Sequence, residues 1–341
     1  MSGISRRAFG ALATVALFAT VTACDTEEEP AASASAATGF PVTIDHAFGS
    51  TVLETSPERI VVIGYKEQDY YLALGTVPVA IRDWYGDMPS ATWPWAQSYL
   101  GTATPTVLPR ADLDFEAILA LDPDVIVGMS AGLTQEQYDT LAKIAPTVAQ
   151  PDADDQWAVT WQQMTRTAGK VLGKSTEAET MVTDLEKRLT DAAAKYPQLK
   201  GASTVFASGF EGQFYIFSPN ATGSKVLLSL GLTMADEVGT LTDNANEYFV
   251  ISKERFDLLD VKVAVWSEAA GDDLITKLLA DSLYTSRAVH TEGRDVFLGT
   301  EANGAFSFSS VLSLPYVIDT IVPALAAAAD GDPATTSAFS A

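Results

Sequence analysis

Short β-branched runs alternate with amphipathic stretches along most of this chain. Arg59-Ile-Val-Val-Ile-Gly64 is an apolar run ended by glycine, which predicts a buried strand. Residues 68–74 follow with helical spacing, and Gly75 stands where a helix C-cap is needed. The same pattern predicts strands over 77–81 and 124–128, with helices over 115–121 and 134–144. Farther along, strands are expected at 204–208, 261–266 and 295–298. Helices are expected at 223–230, closed by Gly231, and at 254–259. Strands separated by helices point to parallel βαβ units.

The plan occurs twice. Leu72-Ala-Leu-Gly75 and Leu228-Ser-Leu-Gly231 hold the same place in each half, as do residues 114–127 and 252–265. The expected fold class is therefore α/β, with two similar lobes over 40–174 and 198–328. Residues 175–197 lie between them, with apolar side chains at 178, 181, 182, 185, 189 and 192 in a helical period. Thr176 and Glu179 are spaced for a capping box, and Pro197 stops the run. About 22 helical residues span roughly 33 Å, enough to bridge two lobes.

The first 24 residues have another character. Arg6 and Arg7 precede an apolar run too short to cross a bilayer, followed by Val21-Thr22-Ala23-Cys24. This predicts an export signal, twin-arginine or general. Cys24 resembles the lipidated cysteine of bacterial lipoproteins and predicts an extracytoplasmic protein held to the membrane by its acyl chains. Residues 25–39 read as a flexible spacer and 329–341 as a disordered tail. Cys24 is the only cysteine, so no disulfide is available, and stability rests on a core drawn from a 47% hydrophobic composition. With 21 basic against 44 acidic residues the net charge is −23, which excludes nucleic acid as a natural partner.

Ligands of α/β sheets sit beyond the carboxyl ends of the strands. Those ends place Tyr65, Lys66, Arg82, Trp84 and Tyr85 at a cleft, with Trp93 and Trp95 close behind. From the second half come Phe210, Tyr215 and Trp266, with Asn303, Phe306 and Phe308 either lining the cleft or packing. Together they predict an aromatic wall with Arg82 as first donor and Lys66 as second, while Arg110 reads as a surface residue. Direct metal binding is not expected, since His46 and His290 stand alone. A rival reading is hydrolytic: Gly128-Met-Ser130-Ala-Gly132 fits a nucleophile elbow, with His290 downstream, but no oxyanion segment precedes it.

Three phrases, at 56–64, 112–127 and 132–147, together with a closing segment at 312–328, make the chain resemble the iron–siderophore binding lipoproteins of ABC importers. The resemblance runs from about residue 40 to 328. It implies two lobes joined by one long helix, a ferric siderophore held between them, and delivery to ABC permease subunits. It also implies docking through Glu116 on one lobe and Glu254 on the other. On this reading the protein is a monomer and no enzyme, with no cofactor, since iron arrives inside its chelate. The scarcity of arginines favours a hydroxamate-type chelate. Haem and cobalamin receptors share the architecture, and a scavenger without a transporter would use it too.

Overall fold

The computed structural model describes residues 39–152, 159–210, 212–241, 248–268 and 273–335. The export signal, Cys24 and residues 25–38 of the spacer lie outside the described residues, as do 336–341. No helix among the described residues is long and apolar enough to cross a membrane.

The first lobe opens with a hairpin of β1 (Val42–His46) and β2 (Gly49–Leu53). Its sheet follows, from β3 (Ile60–Val62), β4 (Ala80–Arg82), β5 (Thr106–Leu108), β6 (Val125–Gly128) and β7 (Thr147–Ala149). These pair in the order β5-β4-β3-β6-β7, every pair parallel. The strand expected at 77–81 begins only at Ala80, because Pro78 brings no N–H to the ladder. Gly75 does cap its helix, at φ 77° with its N–H on the Leu72 carbonyl.

The second lobe is built on β8 (Ser203–Phe210), β9 (Gln213–Phe217), β10 (Thr233–Met234), β11 (Tyr248–Ile251), β12 (Val263–Ser267) and β13 (Asp295–Leu298). The order is β11-β9-β8-β12-β13, with β10 also on β8. Here β8, β10, β12 and β13 are parallel, but β9 and β11 are antiparallel. The second lobe is thus no plain copy of the first. β9 follows β8 directly in the chain and pairs with it antiparallel, where the parallel expectation required a crossover helix.

The bridging helix is Ser175–Lys195, 21 residues or about 31 Å long. It buries Ala178, Val182, Leu185, Leu189 and Ala192. The expected Thr176–Glu179 capping box does not form. Glu179 instead pairs with Arg166 on the neighbouring Trp161–Val171 helix, at 2.7 and 3.0 Å. Capping boxes form elsewhere, from Thr134 with Gln137 and from Thr160 with Gln163.

One apolar cluster is continuous between the lobes. It takes in Val62 and Val127 of the first sheet, Leu185 and Leu189 of the bridge, and Val265, Leu298 and Phe306 of the second lobe. The opposite faces of the two sheets carry separate clusters. The last helix, Val322–Asp330, belongs to the shared core, with Leu325 and Ala329 buried. Ordered chain therefore extends past the expected boundary at 328, to a left-handed Gly331.

Candidate functional site

Two adjoining spaces open between the lobes. The first, of about 220 Å³, is lined by Lys66 and Trp84 from one side and by Phe206, Phe217, Gly223 and Ser267 from the other. The second, also of about 220 Å³, meets the bridging helix at Leu189 and is lined further by Trp161, Val226 and Leu314. Lys66 and Thr222 border both spaces.

The first-lobe wall is built on the loop after β3. Glu67 is 2% exposed, and its Oε1 accepts the Ser130 N–H at 2.7 Å and the Ser130 hydroxyl at 3.1 Å. Its carboxylate also accepts from the Met129 backbone. Burial pushes the Glu67 carboxyl up, and those donors, with Lys66, pull it partly back. Gly64 makes room for it, since a Cβ there would lie 1.7 Å from Glu67 Oε1. The loops after β3 and β6 are thereby tied together beneath Lys66.

Arg82 lines neither space. It is 4% exposed, and its guanidinium donates to the carbonyls of Arg110 and Ala111 at 2.9 and 3.1 Å. Its Cζ lies 4.5 Å from the Tyr65 ring centroid, a cation–π contact. Burial lowers its pKa from the ordinary value. Arg82 holds the 110–111 loop and supports Tyr65, which in turn lies 5.9 Å from Trp84. Arg110 is a surface residue, paired with Asp83 at 2.9 Å.

The expected aromatic wall is divided by the fold. Trp84 lines the first space and also meets Phe308 of the second lobe at 5.4 Å, while Tyr85, Trp93 and Trp95 line neither space and pack around Phe308 at 6.4, 6.0 and 5.5 Å. Trp93 is 1% exposed, stacked on Trp95 at 5.1 Å, and Gly304 leaves space for its ring. These rings seal one lobe against the other. Trp266 belongs to neither space. Strand alternation turns it into the core behind the second sheet, where its Nε1 donates to Tyr284 Oη at 2.9 Å. Tyr215 lies toward the sheet edge, 5.1 Å from Tyr248, with its hydroxyl on Gln213. Phe210 ends β8, and its side chain is outside the described residues. Asn303 donates to the Glu268 carbonyl, and Phe306 is core.

Phe206, Phe217, Gly223 and Ser267 were not among the expected site residues. The alternation in Gln213–Phe217 separates Phe217 from Phe214, but only cross-strand pairing puts Phe217 on Phe206, at 4.8 Å. Gly223 fits beneath that pair, where a Cβ would meet the Phe206 ring at 2.4 Å. The residues of the hydrolytic reading do not meet. Ser130 is fully buried on Glu67, whereas His290 Nδ1 is 2.7 Å from Asp295, within the group that includes Tyr284 and Trp266.

A buried acid joins the lobes. Asp69 is fully buried, and its Oδ2 accepts from Trp95 Nε1 at 2.9 Å and from the Ser310 hydroxyl across the interface. Burial raises its pKa from 3.8 to about 6, against the pull of those two donors. A raised acid pKa favours the protonated fold, so this contribution is fully present below about pH 4 and lost as pH rises through 6. Two units correspond to about 3 kcal/mol. Melting temperature is expected to rise on acidification from pH 7 to 5, with Glu67 acting in the same direction. Asp69→Asn is expected to flatten that rise, and an unchanged slope in thermal melts would refute the assignment.

The description "periplasmic binding protein" attaches to the family whose model matches residues 60–291. The Fe(3+) dicitrate-binding periplasmic protein FecB of Escherichia coli (strain K12) is 30% identical over 207 residues, which are 58% of this chain and 66% of FecB. The probable siderophore-binding lipoprotein YfiY of Bacillus subtilis (strain 168) is 26% identical over 262 residues, covering 74% of this chain and 76% of YfiY. A periplasmic solute binding protein from Mycobacterium smegmatis superposes with a TM-score of 0.75 at 33% identity, over 84% of this chain and 97% of that one. PiaA of Streptococcus pneumoniae in complex with ferrichrome gives 0.71 at 26% identity, over 85% and 99%.

Proposed function

The chain belongs to the periplasmic binding protein family, and from that premise we propose that it is an extracytoplasmic receptor that binds a ferric siderophore and hands it to an ABC importer. The observation that carries this reading is the first space between the lobes. It offers the flat faces of Trp84, Phe206 and Phe217 with a single cation, Lys66. No three His, Cys, Asp or Glu side chains converge as a metal site among the described residues. Such walls suit a bulky organic chelate whose iron is already coordinated, so that iron is cargo and not cofactor. FecB is named for ferric dicitrate, YfiY for a siderophore, and PiaA holds ferrichrome, all in agreement with this reading. With one cation in the first space, a hydroxamate-type iron centre, which needs few countercharges, is the favoured head group. The receptor acts as a monomer anchored through lipidated Cys24, and it meets the permease through Glu116 and Glu254.

The test is tryptophan-fluorescence titration of the soluble chain, from Asp25 onward, with ferric hydroxamates, ferric catecholates, haem and cobalamin. Saturable quenching by one ferric siderophore class is expected. Trp84→Ala is expected to weaken it about 30-fold, equivalent to about 2 kcal/mol for a central aromatic contact. Binding of haem or cobalamin alone, or of none of these, would overturn the siderophore reading.

A further inference from the structure

Among the described residues, the walls of the two interlobe spaces carry charge of one sign. Acids outnumber bases 44 to 21 in this chain, yet among the described residues the charged side chains lining the two spaces are Lys66 and Lys225. Lys66 is 3% exposed and borders both spaces. Lys225 is exposed, on the Thr222–Ser229 helix beside the second space. The rest of that wall is largely apolar, from Val159, Trp161, Leu189, Val226 and Leu314. A chelate head resting on Trp84 and Phe217 would occupy the first space, and the second adjoins it across Lys66 and Thr222.

We propose that the second space receives a flexible aliphatic arm of the cargo that ends in an acidic group. The apolar arm lies along Leu189 and Val226, its acid meets Lys225, and the iron-bearing head stays beside Trp84. The inference rests on the siderophore-receptor reading and adds the shape and charge of the cargo to it. Apolar contact supplies affinity along the arm, while the two lysines select its sign. The bridging helix is thereby part of the binding surface, and the arm contacts the element that joins the lobes.

Octanoate serves as the probe, with octylammonium as its cationic counterpart, both measured by titration calorimetry on the soluble chain from Asp25 onward. Octanoate is expected to bind saturably with Kd below about 1 mM, a fair value for ten non-hydrogen atoms. Octylammonium is expected to bind at least tenfold more weakly. Leu189→Trp, which fills the space, is expected to abolish octanoate binding. Lys225→Glu, at an exposed position that leaves folding intact, is expected to weaken it at least tenfold. Absence of saturable octanoate binding, equal binding of octylammonium, or indifference to Lys225→Glu would overturn the proposal. Ferric chelate titration of the same preparation separates the two readings. Chelate binding without octanoate binding removes the arm alone, and octanoate binding without any chelate removes the siderophore receptor.

Discussion

Cells whose receptor carries Glu116→Ala together with Glu254→Ala are expected to lose ferric-chelate uptake at least 100-fold, while the purified variant binds the chelate with unchanged Kd. Both side chains are exposed, each in the first turn of a short helix, Phe115–Ala120 in one lobe and Lys253–Leu259 in the other. Each helix leads into a parallel strand, β6 or β12. A helix that runs back before such a strand begins level with the strand carboxyl ends. The two carboxylates therefore stand on the face that carries the cleft, one per lobe. Two charge pairs with basic groups on a permease, at about 2 kcal/mol each, would amount to roughly a thousandfold in affinity. The alternative role, favourable charge at a helix N-terminus, is worth about 0.3–1 kcal/mol and is too small to unfold the protein. Uptake of radiolabelled iron within threefold of wild type would sink the docking assignment. A parallel loss of chelate affinity would do so equally.

Glu67→Ala is expected to destabilise the protein by about 3–5 kcal/mol, and Glu67→Gln by about 1 kcal/mol. The alanine removes the acceptor for the Ser130 N–H, the Ser130 hydroxyl and the Met129 N–H, all within a buried turn. Each orphaned buried donor costs about 1–3 kcal/mol. Relief of the carboxylate's own desolvation offsets part of this, so the lower end applies wherever the group is charged. Glutamine keeps one acceptor and the volume. Since domains are stable by about 5–15 kcal/mol, the alanine variant should show a large fall in denaturation midpoint. It should also loosen Lys66, which adjoins Glu67, and so weaken ligand binding. A midpoint within 1 kcal/mol of wild type in guanidinium titrations would show that the turn stands without its buried acid.

The alternation of apolar strands and helices was enough to read an α/β chain in two lobes with one long connecting helix, and that reading agrees with the sheets and with Ser175–Lys195. Local chemistry explains why. The β-branched runs, Gly75 and Gly231, and the period in 175–195 act over a few residues, and their partners are their neighbours in sequence. Lys66 and Trp84 were legible in the same way, because strand carboxyl ends mark a cleft. What sequence could not settle was which way a side chain faces when a strand is apolar on both sides. Trp266 lies in such a strand, β12, and pairing alone sends it into the rear core while Ser267 borders the cleft. Arg82 looked like a ligand donor, yet the carbonyls it serves come from residues 110 and 111, far along the chain. The antiparallel turn from β8 to β9 placed Phe217 on Phe206, and lobe packing gave Trp93 and Trp95 to the interface. Composition and periodicity thus determined the elements and their order. The site's walls, its charge and its second space were decided by contacts between residues distant in sequence, which only the closed tertiary structure brings together.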